Sequence, residues 1–280
     1  MNISAYSDSG GNSNLYISEL AEIAEGCEIM PGAFLGARVT LEKSVKLGPN
    51  AVVLGNECPD STATTLHAGV VVGANAVVHA GVVIGAGAII LPGTIVKRSV
   101  PPGAIVEGNP AAIVGYVDAE RGGRAESVRD NRQSGNRLEL TPVKDVVLHH
   151  FPIIHDLRGN LTVGEFDKEI PFAPRRYFMV FGVPNREVRG EHAHHICHQF
   201  LICVRGSCAV VADDGNRRVE VELDSPSKGL YLPPLTWGIQ YKYTPDALLL
   251  VFASHHYDAA DYIRDYDEFL MHVHSIKNEN

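Results

Sequence analysis

The stretch LHAGVVVGANAVVHAGVVIGAGAIILPGTIV, residues 66–96, decides the fold of the first half of the chain. Aliphatic side chains recur every sixth place, at Leu66, Val72, Val78, Ile84, Ile90 and Val96. Small or short side chains follow four places later, at Val70, Ala76, Val82, Ala88, Thr94 and Val100. The same frame runs backwards through Ile23, Ile29, Leu35, Leu41, Leu47 and Val53, with Ala33, Val39, Val45 and Ala51 as the small partners. Gly often follows the aliphatic position, as at Gly36, Gly48, Gly73 and Gly85. An α-helix needs a period near 3.6 and is weakened by this much Gly. Six-residue steps with Gly or Asn at the corners predict a β-helix of short flat faces. Each aliphatic residue points inward and each small one packs near a corner. The frame breaks once, where thirteen residues rather than six separate Val53 from Leu66. The segment GNECPDSTATT (55–65) must therefore leave the coil as a loop, the kind of place where binding groups are carried on a rigid scaffold.

The character changes after Tyr116. Residues 118–137, DAERGGRAESVRDNRQSGNR, are polar, charged and almost free of aliphatics, which reads as a linker over 118–143 between a first domain at 1–117 and a second at 144–280. From residue 144 onward, runs at 176–183, 199–204, 208–212, 218–223, 229–232 and 247–253 are strand-like, and DDG at 213–215 signals a hairpin. Many short strands at near-even spacing predict a jelly-roll barrel. Tyr262, Ile263, Tyr266, Phe269 and Leu270 have helical spacing and predict a terminal helix. The expected fold class is thus all-β: a parallel β-helix followed by a barrel with one short helix.

Of the 280 residues 45% are apolar, enough for two cores, and the formal net charge is −9. Neutralising a nucleic-acid backbone takes a basic surplus, so a general nucleic-acid binder is excluded. Five Cys lie at 27, 58, 197, 203 and 208 with no CxxC spacing, which predicts reduced thiols and a cytoplasmic protein. The polar start MNISAYSDSG does not read as a signal peptide. No uncharged apolar run reaches the ~18 residues of a spanning helix, so no membrane partner is expected.

Residues 23–116 resemble the hexapeptide-repeat acyltransferases, whose coil is a left-handed β-helix. The closing segment GTIVKRSVPPGAIVEGNPAAIVG (93–115) is similar to the end of their coil, and the loop GNECP resembles the T-N-D-x-x-P loop of sugar-nucleotide N-acetyltransferases. The resemblance implies trimers that bind acetyl-CoA in the groove between neighbouring coils. It places Asn56 at the loop Asn and Glu57 where those enzymes carry Asp, and puts Gly85, Gly87, Lys97, Arg98 and Asn109 at the acetyl-CoA site. Amine attack on a thioester needs a group to take one proton and donors for an oxyanion. Asn56 with Glu57 can orient the amine, and His79 is a second candidate base. His67 and His79 also fit as surface or trimer-interface residues, and Lys97 and Arg98 meet either CoA phosphates or solvent. The two His are twelve residues apart, hence on different faces, which disfavours a zinc site of the γ-carbonic-anhydrase kind.

The second domain contains RGEHAHHICHQFLICVRG (189–206), which resembles the first cupin motif, with His192 and His194 at the paired His positions. The usual Glu ligand is Gln199, and Gly238 in LPPLTWG stands where a further His is usual. Two imidazoles and an amide make a weak metal site, so no metal is expected. The blocks DLRGNL (156–161), EIPFAPRRYFMVFGV (169–183), GLYLPPLTWG (229–238) and SHHYDAADYIRDYDEFL (254–270) make 144–270 similar to the WxcM-like dTDP-sugar 3,4-ketoisomerases. The resemblance implies interconversion of dTDP-4-keto-6-deoxyglucose and its 3-keto isomer, with catalysis by His192 and His194. His192 is the expected base and His194 the shuttle between O3 and O4, an order that can be reversed. Arg176 and Arg158 are candidates for the diphosphate or for structural salt bridges. Tyr177, Tyr231 and Trp237 either stack on substrate or pack in the core. Gln199 is placed to bond substrate or a catalytic His.

The two resemblances agree. A 3-keto sugar, once aminated by a separate PLP-dependent aminotransferase, would be the substrate for acetylation, and the product would feed surface-polysaccharide synthesis such as O-antigen. Trimers through the coil joined by pairs of barrels would form a hexamer. Two other readings stay open: a barrel that senses sugar without catalysis, and a metal-dependent cupin oxygenase on a structural coil.

Overall fold

The computed structural model describes residues 14–56, 58, 62–121, 128–130, 136–184 and 187–278. Two compact units divide the chain at Val117 and Asp118.

The first unit is a three-sided parallel β-helix. Each strand pairs with the strand one coil later on the same face. On one face Phe34–Leu35, Val52–Val53, Val77–Val78 and Ile95–Val96 stack in register. A second face carries Glu22–Ile23, Val39–Leu41, Thr64–Leu66 and Val83–Ile84. The third carries Glu28–Ile29, Lys46–Leu47, Val71–Val72, Ile89–Ile90 and Ala104–Glu107. Leu35, Val53, Val78 and Val96 are fully buried in one inward column, and the small partners Ala33, Ala51, Ala76 and Ala88 are buried beside the corners. Burying an aliphatic side chain is worth about 1.5–3 kcal/mol, so a dozen of them hold together faces only two or three residues wide. Coils stack too closely for side chains at some corners. A Cβ at Gly73 would lie 2.6 Å from the Pro92 nitrogen of the next coil, and one at Gly85 would collide with Pro102. The last strand turns back antiparallel as Ala112–Tyr116 and covers the open end of its sheet.

Two facing sheets form the second unit. One orders Ala119–Arg121, Arg218–Leu223, Cys208–Asp213, Trp237–Tyr241, Arg189–His194 and Tyr262–Ile263. The other orders Val128–Asp130, Arg137–Leu140, Val147–His150, Lys228–Leu232, Gln199–Arg205, Leu248–Ala253 and Arg176–Phe181. Leu201, Val210, Val221, Leu230, Leu249 and Val251 fill the space between them. The pairing is antiparallel throughout except for Ala119–Arg121, which runs parallel to Arg218–Leu223. Three of these strands come from the segment read as a polar linker. Their alternation is too short to register as a period, yet their backbone groups complete the sheet edges.

The terminal helix begins later than its spacing predicts, at Tyr266, and runs to Asn278. Asp265 caps it, accepting from the Glu268 N–H at 2.9 Å. Tyr262 and Ile263 lie instead in a short strand paired with His194 and Ala193. Strand pairing outcompetes helix propensity there because it satisfies the backbone of a segment held against the sheet. Tyr266 and Phe269 pack on Trp237, with ring centroids 5.2 and 5.6 Å away. The Tyr266 hydroxyl bonds Asp213 and Arg218 at 2.6 Å each, which anchors the helix to the barrel.

Candidate active site

The strand Arg189–His194 carries the paired imidazoles, and a bulge aims them. Its register against Trp237–Tyr241 shifts between Gly190 and His192, where Gly190 and Glu191 have φ of 84° and 54°. A bulge re-aims the side chain that follows it. His192 then stands across from Gly238, and His194, two residues on, faces the same way. Their ring centroids are 5.0 Å apart and their planes almost perpendicular, at 84°. Both rings and Gln199, Leu232, Pro233, Thr236, Gly238 and Gln240 line one narrow cavity.

His194 is tied at both nitrogens. Its Nδ1 lies 2.8 Å from Asp261 Oδ2, and its Nε2 lies 3.0 Å from Gln199 Nε2. Asp261 is fixed in turn by the Ile196 N–H, which donates to Oδ1 at 2.8 Å. An ionised carboxylate accepts only, so Nδ1 carries the hydrogen and Nε2 the lone pair. Burial pushes the His194 pKa down to about 4, helped by the neighbouring His192 and opposed by Asp261. Burial also lowers the His192 pKa, with Arg264 and Arg176 adding to the effect and a hydrogen bond to the Gly190 backbone opposing it. Both rings are neutral at pH 7, the form that can accept a proton.

Tyr262 packs against both imidazoles, with centroids 4.9 Å from His192 and 4.3 Å from His194. Its hydroxyl accepts from Arg176 Nη2 at 3.3 Å, and the Arg264 guanidinium lies 4.3 Å from its ring centroid. Two cations therefore sit beside the His pair, and Arg176 Nε is buried with no partner among the described residues.

Asp261, Tyr262 and Arg264 were not singled out from the sequence. The stretch AADYIRDYD has helical spacing, and nothing local in it marks Asp261 as the partner of a distant His. Trp237 is buried beneath the terminal helix, away from the cavity that its neighbour Gly238 lines, because successive strand residues face opposite ways. Tyr177 is separated from Arg176 by the same alternation and is 64% exposed. Arg158 lies in the turn of a separate hairpin, Ile153–Asp156 with Gly159–Thr162, and is exposed. His198 does not join the pair. The chain bends after His194, and the His198 Nδ1 bonds the Tyr231 hydroxyl at 2.7 Å.

A cupin metal site does not fit these residues, since Gln199 and Gly238 occupy two of its positions. One other cluster has metal-ligand chemistry among the described residues. His194, Cys197 and Asp261 each bring a donor atom within 4.8 Å of the others. Its His and Asp donors are already bonded to each other.

In the coil, one corner gathers several of the sequence candidates. Leu54, His79 and Lys97 each follow the stacked residues Val53, Val78 and Val96, so they form a column along one edge. The loop leaves at this column. Thr64 Oγ1 donates to the Leu54 carbonyl at 2.8 Å and closes the loop base, and Asn56 Nδ2 donates to the Thr62 carbonyl at 3.2 Å. His79 is half-buried, while Lys97 and Arg98 are exposed. Glu57 lies outside the described residues. The five positions assigned to acetyl-CoA do not share one edge of a single coil. Lys97 and Arg98 are on the His79 corner, Gly85 and Gly87 on the next, and Asn109 on the third. Gly85 has a packing reason of its own in the collision with Pro102.

Comparison with known proteins finds separate relatives for the two parts of the chain. The family described as WxcM-like, C-terminal (FdtA) matches residues 144–274. The TDP-4-oxo-6-deoxy-alpha-D-glucose-3,4-oxoisomerase of Aneurinibacillus thermoaerophilus is 42% identical over 130 residues, covering 46% of this chain and 94% of that protein. The 3,4-ketoisomerase QdtA of Thermoanaerobacterium thermosaccharolyticum, solved as a His-to-Asn mutant with TDP-4-keto-6-deoxyglucose, is 36% identical over 48% of this chain and 96% of its own, with a TM-score of 0.46. For the coil, the 2,3,4,5-tetrahydropyridine-2,6-dicarboxylate N-acetyltransferase of Alkaliphilus metalliredigens is 38% identical over 87 residues. The match covers 31% of this chain and only 37% of that acetyltransferase. Through its second unit, this chain belongs to the WxcM-like, C-terminal family of sugar 3,4-ketoisomerases.

Proposed function

We propose that the chain carries two activities of one nucleotide-sugar route, keto isomerisation in the barrel and N-acetylation on the coil. The observation that supports the first most directly is the buried, neutral His192–His194 pair with Asp261 behind it. In dTDP-4-keto-6-deoxyglucose the C4 ketone acidifies the C3 proton. His192 removes that proton, and the electron pair moves to O4, giving an enediol. Reprotonation at C4 and loss of the O3 proton leave the ketone at C3. Atoms balance with no oxidant, and no metal step is needed. His192 suits the base because both nitrogens of His194 are engaged. His194, fixed by Asp261, moves protons between O3 and O4 when Gln199 yields its nitrogen. Arg176 and Arg264 provide the positive charge that a nucleotide diphosphate requires. Of the substrate-binding candidates, Arg176 and Gln199 stay in this role. Arg158 could reach a site only from the tip of its hairpin.

For the coil, the amine of a dTDP-3-amino-3,6-dideoxyhexose attacks the acetyl-CoA carbonyl. The C–S bond breaks, the thiol leaves, and one amine proton passes to a base. His79 and Asn56 on the shared corner are the candidates for base and orienting group. Because the acetyl-CoA positions lie on three corners of one coil, a groove between coils of a trimer is the arrangement that can unite them. The intervening amination falls to a separate aminotransferase. Barrel pairing would extend trimers to hexamers in the cytoplasm.

The test is direct. Purified protein with dTDP-4-keto-6-deoxyglucose should yield a 3-keto species by carbon NMR, and with the 3-amino sugar it should release CoA thiol from acetyl-CoA. Binding of the keto sugar without conversion would favour the sensing barrel instead.

A further inference from the structure

The cavity that holds the His pair is also lined by two polar side chains, Gln240 and Thr236. Gln240 is 8% exposed and Thr236 is 6% exposed, and both line the cavity beside His192 and His194. Neither side chain has a hydrogen-bond partner among the described residues. Their polar atoms are not sealed from solvent, so they stay open to whatever enters the cavity. Two of the other cavity-lining polar groups are engaged: His194 with Asp261 and Gln199, and Gln199 with His194.

The backbone leaves room for the Gln240 amide. Gln240 lies two residues from Gly238, which stands across from His192, so Gln240 and Gly238 share the face that looks at the base. Gly190, next to the residue paired with Gln240, has φ 84°, and a Cβ there would lie 2.9 and 3.0 Å from the two carboxamide atoms. A side chain at this position would crowd the amide.

The proton transfer also lacks one component. When C3 loses its proton, negative charge develops on the former ketone oxygen, and a donor must meet it. The lone pair of His194 is capped by Gln199, and the open nitrogen of His192 is the base. We propose that Gln240 donates its amide N–H to the sugar oxygen that becomes the enediolate, with the Thr236 hydroxyl as the second donor. This inference rests on the reading of the barrel as a keto-sugar isomerase.

Gln240→Met keeps length and removes both polar atoms, and Thr236→Val keeps shape and removes the hydroxyl. In full-length protein, turnover of dTDP-4-keto-6-deoxyglucose should fall about 100-fold in Gln240→Met and about 10-fold in Thr236→Val. The affinity for dTDP alone should stay within about twofold, and the melting temperature should hold. Gln240→Glu, of the same shape but with an acceptor in place of the donor, should lose at least as much as Gln240→Met. Wild-type-like turnover in Gln240→Met, or a fall in melting temperature with a matching loss of dTDP binding, would overturn the proposal. Absence of turnover in the wild type itself would instead remove the isomerase reading on which it rests.

Discussion

In the coil, facing residues are eighteen apart in sequence where the frame is regular, as Val78 and Val96 are, and twenty-five apart across the loop, as Val53 and Val78 are. In the barrel the decisive contact joins His194 to Asp261, 67 residues away. The coil is therefore built from near neighbours, each able to be altered at a local cost. The barrel brings distant segments to one point, so a single change there removes a function rather than a fraction of stability. The two candidate sites differ in the same way. The His pair is enclosed within one chain, whereas the His79 corner is an open edge.

The largest effect that tests this contrast is at His192. His192→Asn should lower isomerisation by about 1,000-fold or more while leaving acetyl transfer at the wild-type rate, read by NMR and by thiol release on the same sample. Parallel loss of both activities would end the contrast between the units. In the coil, Ile84→Ala should cost about 2–5 kcal/mol in chemical denaturation through the cavity it leaves, with the isomerisation rate unchanged.

Acid should act on the barrel next. His194 and His149 have folded pKa values pushed down to about 4 by burial, against 6.5 for a free imidazole. Above pH 6.5 both are neutral, folded or unfolded, and contribute nothing. Between pH 6.5 and 4 the unfolded chain binds more protons, so stability falls as pH falls, by on the order of 3 kcal/mol for each group at pH 4. Urea midpoints across that window measure it, and a flat profile would contradict the burial of neutral imidazoles. The smallest effect is expected for Trp237→Phe, which loosens the helix contact by about 1 kcal/mol and leaves turnover within about twofold.

The coil was legible because inward Leu, Val and Ile repeat at a fixed step, and the loop after Val53 announced itself as a break in that step. His192 and His194 were legible because alternation along one strand keeps both on one face. Asp261 was not, since nothing local marks an Asp in AADYIRDYD as the partner of a His so far upstream. The helical spacing of Tyr262 and Ile263 pointed the wrong way, because strand pairing with His194 prevails over propensity. Trp237 was ambiguous for a related reason. The sequence marks it as an aromatic in the site block, but only the register shows that Gly238, not Trp237, faces the imidazoles.

The most direct test of the account is exchange at C3. The full-length protein, treated with a chelator, would be incubated with dTDP-4-keto-6-deoxyglucose in deuterated water and followed by proton NMR. We expect loss of the C3 proton signal at a rate that matches isomerisation, and a drop of about 100-fold in Asp261→Asn, which leaves the His194 Nδ1 hydrogen without its carboxylate. Retention of the C3 proton by folded wild-type protein, or exchange that returns only when a metal is added back, would contradict a metal-free histidine isomerase.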